Sequence, residues 1–373
     1  MKVMTIVGTR PEIIRLARVM ARLDEHTEHV LVHTGQNYDY ELNEIFFQQL
    51  ELKAPKHYLE SAGANVAETI GNIIAKVDRV LEAESPDAVL VLGDTNSCLA
   101  AIAAKRRKIP IFHMEAGNRS FDERVPEETN RRIIDHISDI NLAYTEHARQ
   151  YLLREGLRPE TVFVTGSPLA EVLGHYLPKI EASKVMEEMG LKVSDFFLVS
   201  AHREENVDDP RRLADLVETL EALVTKYGKR VIVSTHPRTR SRLDAIGALG
   251  KKSKIEFLKP LGFLEYVKLQ RNAFCVVSDS GSITEESSIL NFPAVTIREA
   301  HERPEGMDEG VLVMCGLKAP RVLEAIEVVT STFKPGQRTL AQVRDYTSTT
   351  VSHKVLRIIL SYVDYVNRTV WRK

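Results

Sequence analysis

His-Met-Glu-Ala-Gly-Asn-Arg-Ser-Phe-Asp-Glu-Arg-Val-Pro-Glu-Glu-Thr-Asn-Arg-Arg, residues 113–132, packs five carboxylates and four arginines into twenty positions. It directly follows a strand-like run, Ile109 to Phe112. A solvated surface can carry that many charges, but it has no need of His-Met-Glu-Ala-Gly at the mouth of a buried strand. In an open α/β sheet, ligands bind at that mouth. Glu115 stands there and Glu127 opens the next helix. The stretch reads as an active-site strip.

Working outward, β-branched runs alternate with helical patterns along the chain, the mark of βαβ units and a parallel sheet. Strands are predicted at Lys2 to Val7, His29 to His33, Ala88 to Leu92, Asp139 to Ala143 and Val162 to Val164, with helices at about 66–82 and 97–107. After Gly166-Ser167-Pro168 a helical, polar stretch at about 172–194 shows no clear strand and reads as a linker. Strands resume at Phe196 to Ser200, Arg230 to Ser234, Ile255 to Leu258, Phe274 to Ser278 and Ala294 to Ile297. The expectation is two Rossmann-like domains facing a cleft, at residues 1–172 and 190–350, without a residue-level repeat. The segment 351–373 carries Val355, Ile359, Leu360, Val363 and Val366 at helical spacing, and is expected to pack back on the first domain.

The 373 residues suit two domains at roughly 150 each. A net charge of −2 gives no general pull toward nucleic acid or anionic membrane, so an anionic ligand must be held locally. Cys98, Cys275 and Cys315 fit neither a disulfide framework nor a zinc pattern, and no His-Glu-x-x-His is present, so no metal is expected. A strand starting at Lys2 leaves no room for a signal peptide, and no apolar run approaches the roughly 20 residues of a membrane span. A soluble, cytoplasmic protein is the expectation.

Ser278-Asp279-Ser280-Gly281-Ser282-Ile283-Thr284-Glu285-Glu286 ends a strand and opens a helix. The helix N-terminus offers free N–H groups, and Gly281 lets a phosphate approach the backbone. The same letters also spell a capping box, Ser282 with Glu285, which leaves Glu286 to point elsewhere. There is no Walker lysine and no GxGxxG. Asp94, taken alone, fits a helix N-cap, and Glu127 suits a helix start on dipole grounds. Yet Asp94, Glu115 and Glu127 fall at one edge of one predicted sheet, and carboxylates crowded in a cleft suit acid–base work. Arg10, His202, His236 and Arg303 each sit in a predicted loop after a strand, where each can neutralise phosphate charge. His113, on the strand itself, reads as a core residue.

The strings Gly-Thr-Arg-Pro-Glu (8–12), Gly-Asp-Thr (93–95), Glu-Ala-Gly (115–117), Pro-Glu-Glu-x-Asn-Arg (126–131), His-Arg-x-Glu-Asn (202–206), Asp-Ser-Gly-x-Ile-x-Glu-Glu (279–286) and Glu-Arg-Pro-Glu (302–305) resemble the non-hydrolysing UDP-N-acetylglucosamine 2-epimerase family. The resemblance implies a glycosyltransferase-B-like fold, a homodimer, a UDP-sugar substrate and no cofactor. It gives Asp94, Glu115 and Glu127 acid/base roles and sets His202 and Arg10 on the diphosphate. Ser280, Gly281, Ser282 and Glu286 would hold phosphates and ribose, with Arg131, His236, Tyr266 and Arg303 completing substrate binding.

Residues 34–44 and 117–127 look most like the branch acting on UDP-2-acetamido-2,6-dideoxy-L-talose, which yields UDP-N-acetyl-L-fucosamine for capsule or O-antigen. Arg15, Asn37 and Glu204 depart from the lysine, histidine and arginine usual in the N-acetylglucosamine enzymes. Those positions belong to or adjoin a second nucleotide-sugar site that activates some members, so the departures count against that activation. The rival readings are a glycosyltransferase of the same fold, a hydrolysing epimerase and a silent UDP-sugar sensor; a sensor would need the phosphate cradle but not three converging acids.

Overall fold

A computed structural model describes residues 1–36, 40–235, 237–245 and 254–373. Contacts divide the chain into two units, Met1–His175 with Asp345–Lys373, and Tyr176–Arg344. In the first unit the strands are β1 (Lys2–Val7), β2 (Glu28–His33), β3 (His57–Tyr58), β4 (Ala88–Leu92), β5 (Ile111–Met114), β6 (Ile140–Ala143) and β7 (Val162–Val164). They form one parallel sheet in the order β3-β2-β1-β4-β5-β6-β7. The second unit has β8 (Phe196–Ser200), β9 (Arg230–Ser234), β10 (Ile255–Leu258), β11 (Cys275–Ser278), β12 (Ala294–Thr296) and β13 (Val313–Met314). Its parallel order is β10-β9-β8-β11-β12-β13. Both are doubly wound α/β sheets of Rossmann type, as the alternating pattern predicts.

The strands are near-continuous apolar runs because helices cover both faces of a parallel sheet. All five residues of β4 are buried. Met4, Ile6, Val30, Val32, Val89 and Val91 pack against Ile73 and Val77 of helix Val66–Glu84. That helix is stopped from fraying by the Asn65 side chain, which accepts the Glu68 N–H. Truncating a core residue such as Val89 or Leu90 to alanine would cost about 2–5 kcal/mol. Helix Val351–Val366 packs on the first unit: Arg22 bonds His353, and Ser352 donates to Glu171.

Doubly wound sheets place their ligand crevice where the strand order reverses. In the first unit that point lies between β1 and β4; in the second, between β8 and β11. The turns leaving those four strands are Gly8–Arg10, Gly93–Asp94, Ala201–Arg203 and Asp279–Ser282. They hold Arg10, Asp94, His202, Ser280, Gly281 and Ser282 among the residues singled out from sequence.

Several elements differ from the sequence reading. The strand expected at Ile109 to Phe112 is Ile111–Met114, because Ile109 N–H still bonds Ala104 O at the helix exit and Pro110 has no N–H to offer a ladder. Glu115 is therefore the first residue past the strand. The helix read at Ser97 to Arg107 begins as a 3-10 turn, Asn96–Ala100, before Ala101–Arg106 continues as α. β3 and β13, two residues each, are too short for an alternation signal. The stretch at about 172–194 is helical as expected, Leu169–Ala182 and Val185–Glu188. No helix among the described residues is long and apolar enough to cross a membrane.

Candidate active site

β4 and β5 are adjacent and parallel, so their exits bring Asp94 and Glu115 to one sheet edge. The Gly93 N–H donates to Met114 O at 2.9 Å, joining the two turns. Gly93 has φ +73, a conformation glycine takes at no steric cost, and a methyl there would stand 3.7 Å from Glu115 Oε2. Glu115 itself has φ +64. A non-glycine residue held left-handed stores about 1 kcal/mol or more, and such strain collects at functional sites.

Each carboxylate faces an arginine. Arg131 Nε donates to Asp94 at 2.7 Å, and Arg15 stands 3.3 Å from Glu115 while its guanidinium lies over the Tyr144 ring. Asn118 donates to the other Glu115 oxygen at 3.1 Å. Asp94 is not an N-cap; Thr95 occupies that position. Arg131 is fixed in turn by the fully buried Glu128, at 3.0 Å. Burial works to raise the Glu128 carboxyl, but the Ser120 N–H and hydroxyl and Arg131 outweigh it, and the group lies below its ordinary value. Glu127, one turn before Arg131 on helix Pro126–Ile137, is partly exposed and has no hydrogen-bond or ion-pair partner among the described residues. Arg10 opens helix Arg10–His26 and stacks over Phe46.

Two buried networks behind this edge were not read from sequence as site features. Glu12 accepts from Gly8 N–H (2.8 Å), Thr9 N–H (2.6 Å) and the Thr9 hydroxyl on one oxygen, and from the Thr95 and Ser97 hydroxyls on the other. Burial nonetheless holds its carboxyl above the ordinary value. Cys98 lies close to the same group: burial pushes its thiol well up, and Glu12, Asp94 and Glu115 push it further. That shared neighbour is a second sign that Asp94 and Glu115 converge. The other network joins His113, Asp135, Arg119 and Glu155. His113 Nε2 meets Gly93 O at 2.8 Å, its Nδ1 lies 2.9 Å from Asp135, and the buried Arg119 bridges Asp135 and Glu155. His113 is a core residue by burial, as expected, but a polar one that reaches the turn before Asp94.

In the second unit Asp279 is the organiser. Its buried carboxylate accepts from the N–H of His202 (3.0 Å) and of Arg203 (3.0 Å) and from the Asn206 amide (3.1 Å), with His202 Nδ1 at 3.1 Å. Burial alone would raise its carboxyl, but His202 and these donors bring it to about 2. Ser280 and Ser282 share a hydroxyl–hydroxyl bond of 2.9 Å at the start of helix Ile283–Leu290. A methyl on Gly281 would make ordinary van der Waals contact with Glu302 Oε2 at 3.6 Å and Arg203 Nη2 at 4.0 Å, both side-chain atoms, so the backbone there is not tightly packed.

The capping box at Ser282 is not formed. Ser282 is helical in φ and ψ and makes no side-chain cap bond, while Glu285 pairs with Arg303 at 2.8 Å. Arg303 also donates to Gly281 O at 3.1 Å, so it braces the cradle from behind. Glu286 accepts from Gln270 and lies near Tyr266. Burial raises the Tyr266 hydroxyl strongly, Glu286 and Asp279 add to that, and Ser200 moderates it. His236 and Asn37 lie outside the described residues. Among the described residues no cluster of His, Cys, Asp and Glu is arranged to hold a metal.

Comparison with known proteins now adds to this geometry. A model of the family described as UDP-N-acetylglucosamine 2-epimerase matches residues 21–360. A solved structure of UDP-N-acetylglucosamine 2-epimerase from Rickettsia bellii is 57% identical, with a TM-score of 0.94 and full coverage of both chains. The Methanocaldococcus jannaschii UDP-GlcNAc 2-epimerase, solved with UDP-GlcNAc and UDP, is 35% identical at a TM-score of 0.90, covering 97% of this chain and 100% of that one. A Pseudomonas aeruginosa UDP-2,3-diacetamido-2,3-dideoxy-D-glucuronate 2-epimerase is 35% identical over 87% of this chain and 91% of its own length.

Proposed function

The chain belongs to the UDP-N-acetylglucosamine 2-epimerase family and is an isomerase acting on a UDP-sugar, and we propose that it inverts C2 by eliminating and re-adding UDP. The C2 proton of a pyranose has no adjacent carbonyl, so deprotonation and return alone would be far too slow. Elimination removes that obstacle. A base takes the C2 proton, the C1–O electron pair leaves with UDP, and a 2-acetamidoglycal forms. UDP then returns to C1 while a proton is delivered to the opposite face of C2. Two faces need two proton-handling groups.

The observation that carries this reading is the meeting of Asp94 and Glu115 at one sheet edge, each opposite an arginine. With Glu127 they form the acid/base set. The second unit supplies the diphosphate cradle: Ser280, Gly281 and Ser282 with His202. Within that unit Glu286, Tyr266, His236 and Arg303 are proposed to complete the nucleotide site; in the first unit, described by itself, Arg10 and Arg131 are proposed as substrate-binding residues.

For the sugar we favour UDP-2-acetamido-2,6-dideoxy-L-talose, giving UDP-N-acetyl-L-fucosamine, on the strings at 34–44 and 117–127 and on Arg15. A lysine amine at position 15 would be a mobile point charge. The arginine is instead buried, with a carboxylate on one side and a ring on the other. UDP-N-acetylglucosamine is the second reading, supported by the likeness to the Rickettsia bellii UDP-N-acetylglucosamine 2-epimerase. The protein is further proposed to work as a homodimer in the cytoplasm without a cofactor.

The test is incubation with each sugar separately in D2O, followed by NMR. Deuterium at C2 with conversion of the L-talo sugar is expected. Turnover of the glucose sugar alone overturns the substrate and keeps the reaction. No exchange in either, with UDP still bound, overturns the reaction.

A further inference from the structure

We infer that Asn118 is a positioning residue for Glu115: its side-chain amide orients the Glu115 carboxylate and favours the ionised form. The inference rests on the UDP-sugar 2-epimerase reading and deepens it. The turn between the two residues is built for their contact. Glu115 and Gly117 are both left-handed, at φ +64 and +84, which curls the chain so that residue 118 comes back against residue 115. At Gly117 a side chain is excluded, since a Cβ would stand 2.4 Å from Ala148 O. The Gly117 N–H is tied to the buried Asp135, 3.2 Å from each carboxylate oxygen. The Asn118 carbonyl accepts from the buried Arg119 at 2.7 Å. The backbone on both sides of the Asn118 side chain is thus fixed to the core.

Asn118 is itself buried, and its Nδ2 donates to Glu115 Oε1 at 3.1 Å. An ionised carboxylate only accepts, so the amide must turn its NH2 toward it. Arg15, from helix Arg10–His26, stands 3.3 Å from the other oxygen. Each Glu115 oxygen therefore has its own donor, and the plane of the carboxylate is set at two points. Asp94 and Cys98, after β4, are the other titratable groups on this side. A proton passed to or from C2 needs the carboxylate held along one line, and a carboxylate anchored at one point can swing. A donor on the charged form also sets the pH range over which the group can exchange that proton.

The experiment is the pH dependence of kcat and KM, followed by NMR on the UDP-sugar that the wild-type chain turns over, for wild type, Asn118→Leu and Asn118→Asp. Leucine keeps the volume and removes the donor; aspartate keeps the shape and sets a second carboxylate against the first. Losing a hydrogen bond to a charged group is expected to lower kcat about 10- to 100-fold in the Leu variant, with KM changed less than about threefold. One limb of the kcat profile should move up by about one pH unit. It is the acid limb if Glu115 must be ionised and the alkaline limb if it must be protonated. The Asp variant should move the same limb further in the same direction. A thermal melt followed by Trp371 fluorescence, in the same unit, reports that the variants are folded. Limbs that stay in place in both variants overturn the role of Asn118, whatever happens to kcat, because a loss of packing alone moves no limb. If the wild-type chain exchanges C2 hydrogen on no UDP-sugar, the epimerase reading falls and the inference with it.

Discussion

Replacing Asp279 by asparagine changes one charge and almost no volume, so its effect isolates what the carboxylate does. The group is fully buried and its carboxyl lies at about 2 against an ordinary 3.8. At about 1.4 kcal/mol per pKa unit, that difference contributes on the order of 2 kcal/mol of stability at neutral pH. The sign follows from the lowered folded value: the contribution is complete well above 3.8 and is lost as pH falls toward 2. Most of it should remain at pH 4 and roughly half at pH 3. Asparagine can keep one oxygen toward the His202 and Arg203 N–H groups, but it presents an amine where the second oxygen stood, and it carries no charge at any pH.

The expected outcome is therefore a stability gap between wild type and Asp279→Asn of about 2–3 kcal/mol at pH 7 that narrows below pH 4. The assay is urea unfolding at several pH values, with hydrogen exchange of the β8 and β11 peptides assigning the loss to the second unit. Trp371 is the single tryptophan and belongs to the first unit, so its fluorescence serves as an internal control. A gap that stays constant from pH 7 to pH 3 would refute the account of Asp279 as an ionised anchor. So would its absence.

Asp94→Asn and Glu127→Gln should each lower turnover by orders of magnitude while leaving UDP affinity nearly intact; near-normal turnover in both removes these carboxylates from the chemistry. Gly281→Val adds a side chain where a Cβ meets only two side-chain tips at 3.6 and 4.0 Å, so UDP binding should weaken at least about tenfold with the melting midpoint nearly unchanged; calorimetry and thermal melting read the two separately. Arg119→Met strands Asp135 and Glu155 opposite a buried thioether and should cost about 3–5 kcal/mol, read from Trp371 fluorescence in urea. A loss below about 1 kcal/mol would mean the network is solvated or rearranges.

Strands were the most legible feature, since a parallel sheet covered on both faces must be written as short unbroken apolar runs. β1, β4, β7, β8, β9 and β10 fall on the residues their runs predict. What sequence did not reveal is how polar groups are shared over distance. The pattern Ser282 to Glu285 spells a cap, but the glutamate finds a better partner in Arg303, and a local motif cannot announce a competitor from another loop. Glu12 was visible in Gly-Thr-Arg-Pro-Glu, yet nothing local says that Ser97 will donate to it across the sheet edge.

The two units meet one structural problem with the same device. At a switch point two strands leave the sheet in turns that nothing in the ladder holds together, and a ligand crevice there needs them fixed. In the first unit Glu12 takes donors from the β1 turn at Gly8 and Thr9 and from the β4 turn at Thr95 and Ser97. In the second, Asp279 on the β11 turn takes donors from the β8 turn at His202 and Arg203. One buried carboxylate thus straps each crevice, and the strapped turns carry Arg10 and Asp94 in one case, His202 and the Ser280–Ser282 cradle in the other. On the proposed assignment these carboxylates touch no ligand themselves but hold turns whose residues do, so their replacement should disturb substrate binding and stability together. Glu12→Gln is the complementary case to Asp279→Asn: its amide would point N–H groups at N–H and hydroxyl donors, costing about 1–3 kcal/mol. Because Asp94 and Arg10 both ride on that strap, turnover and sugar affinity should fall in concert in this variant, whereas in Asp94→Asn turnover falls alone. Loss of stability with unchanged kinetics would show that the turns hold without it.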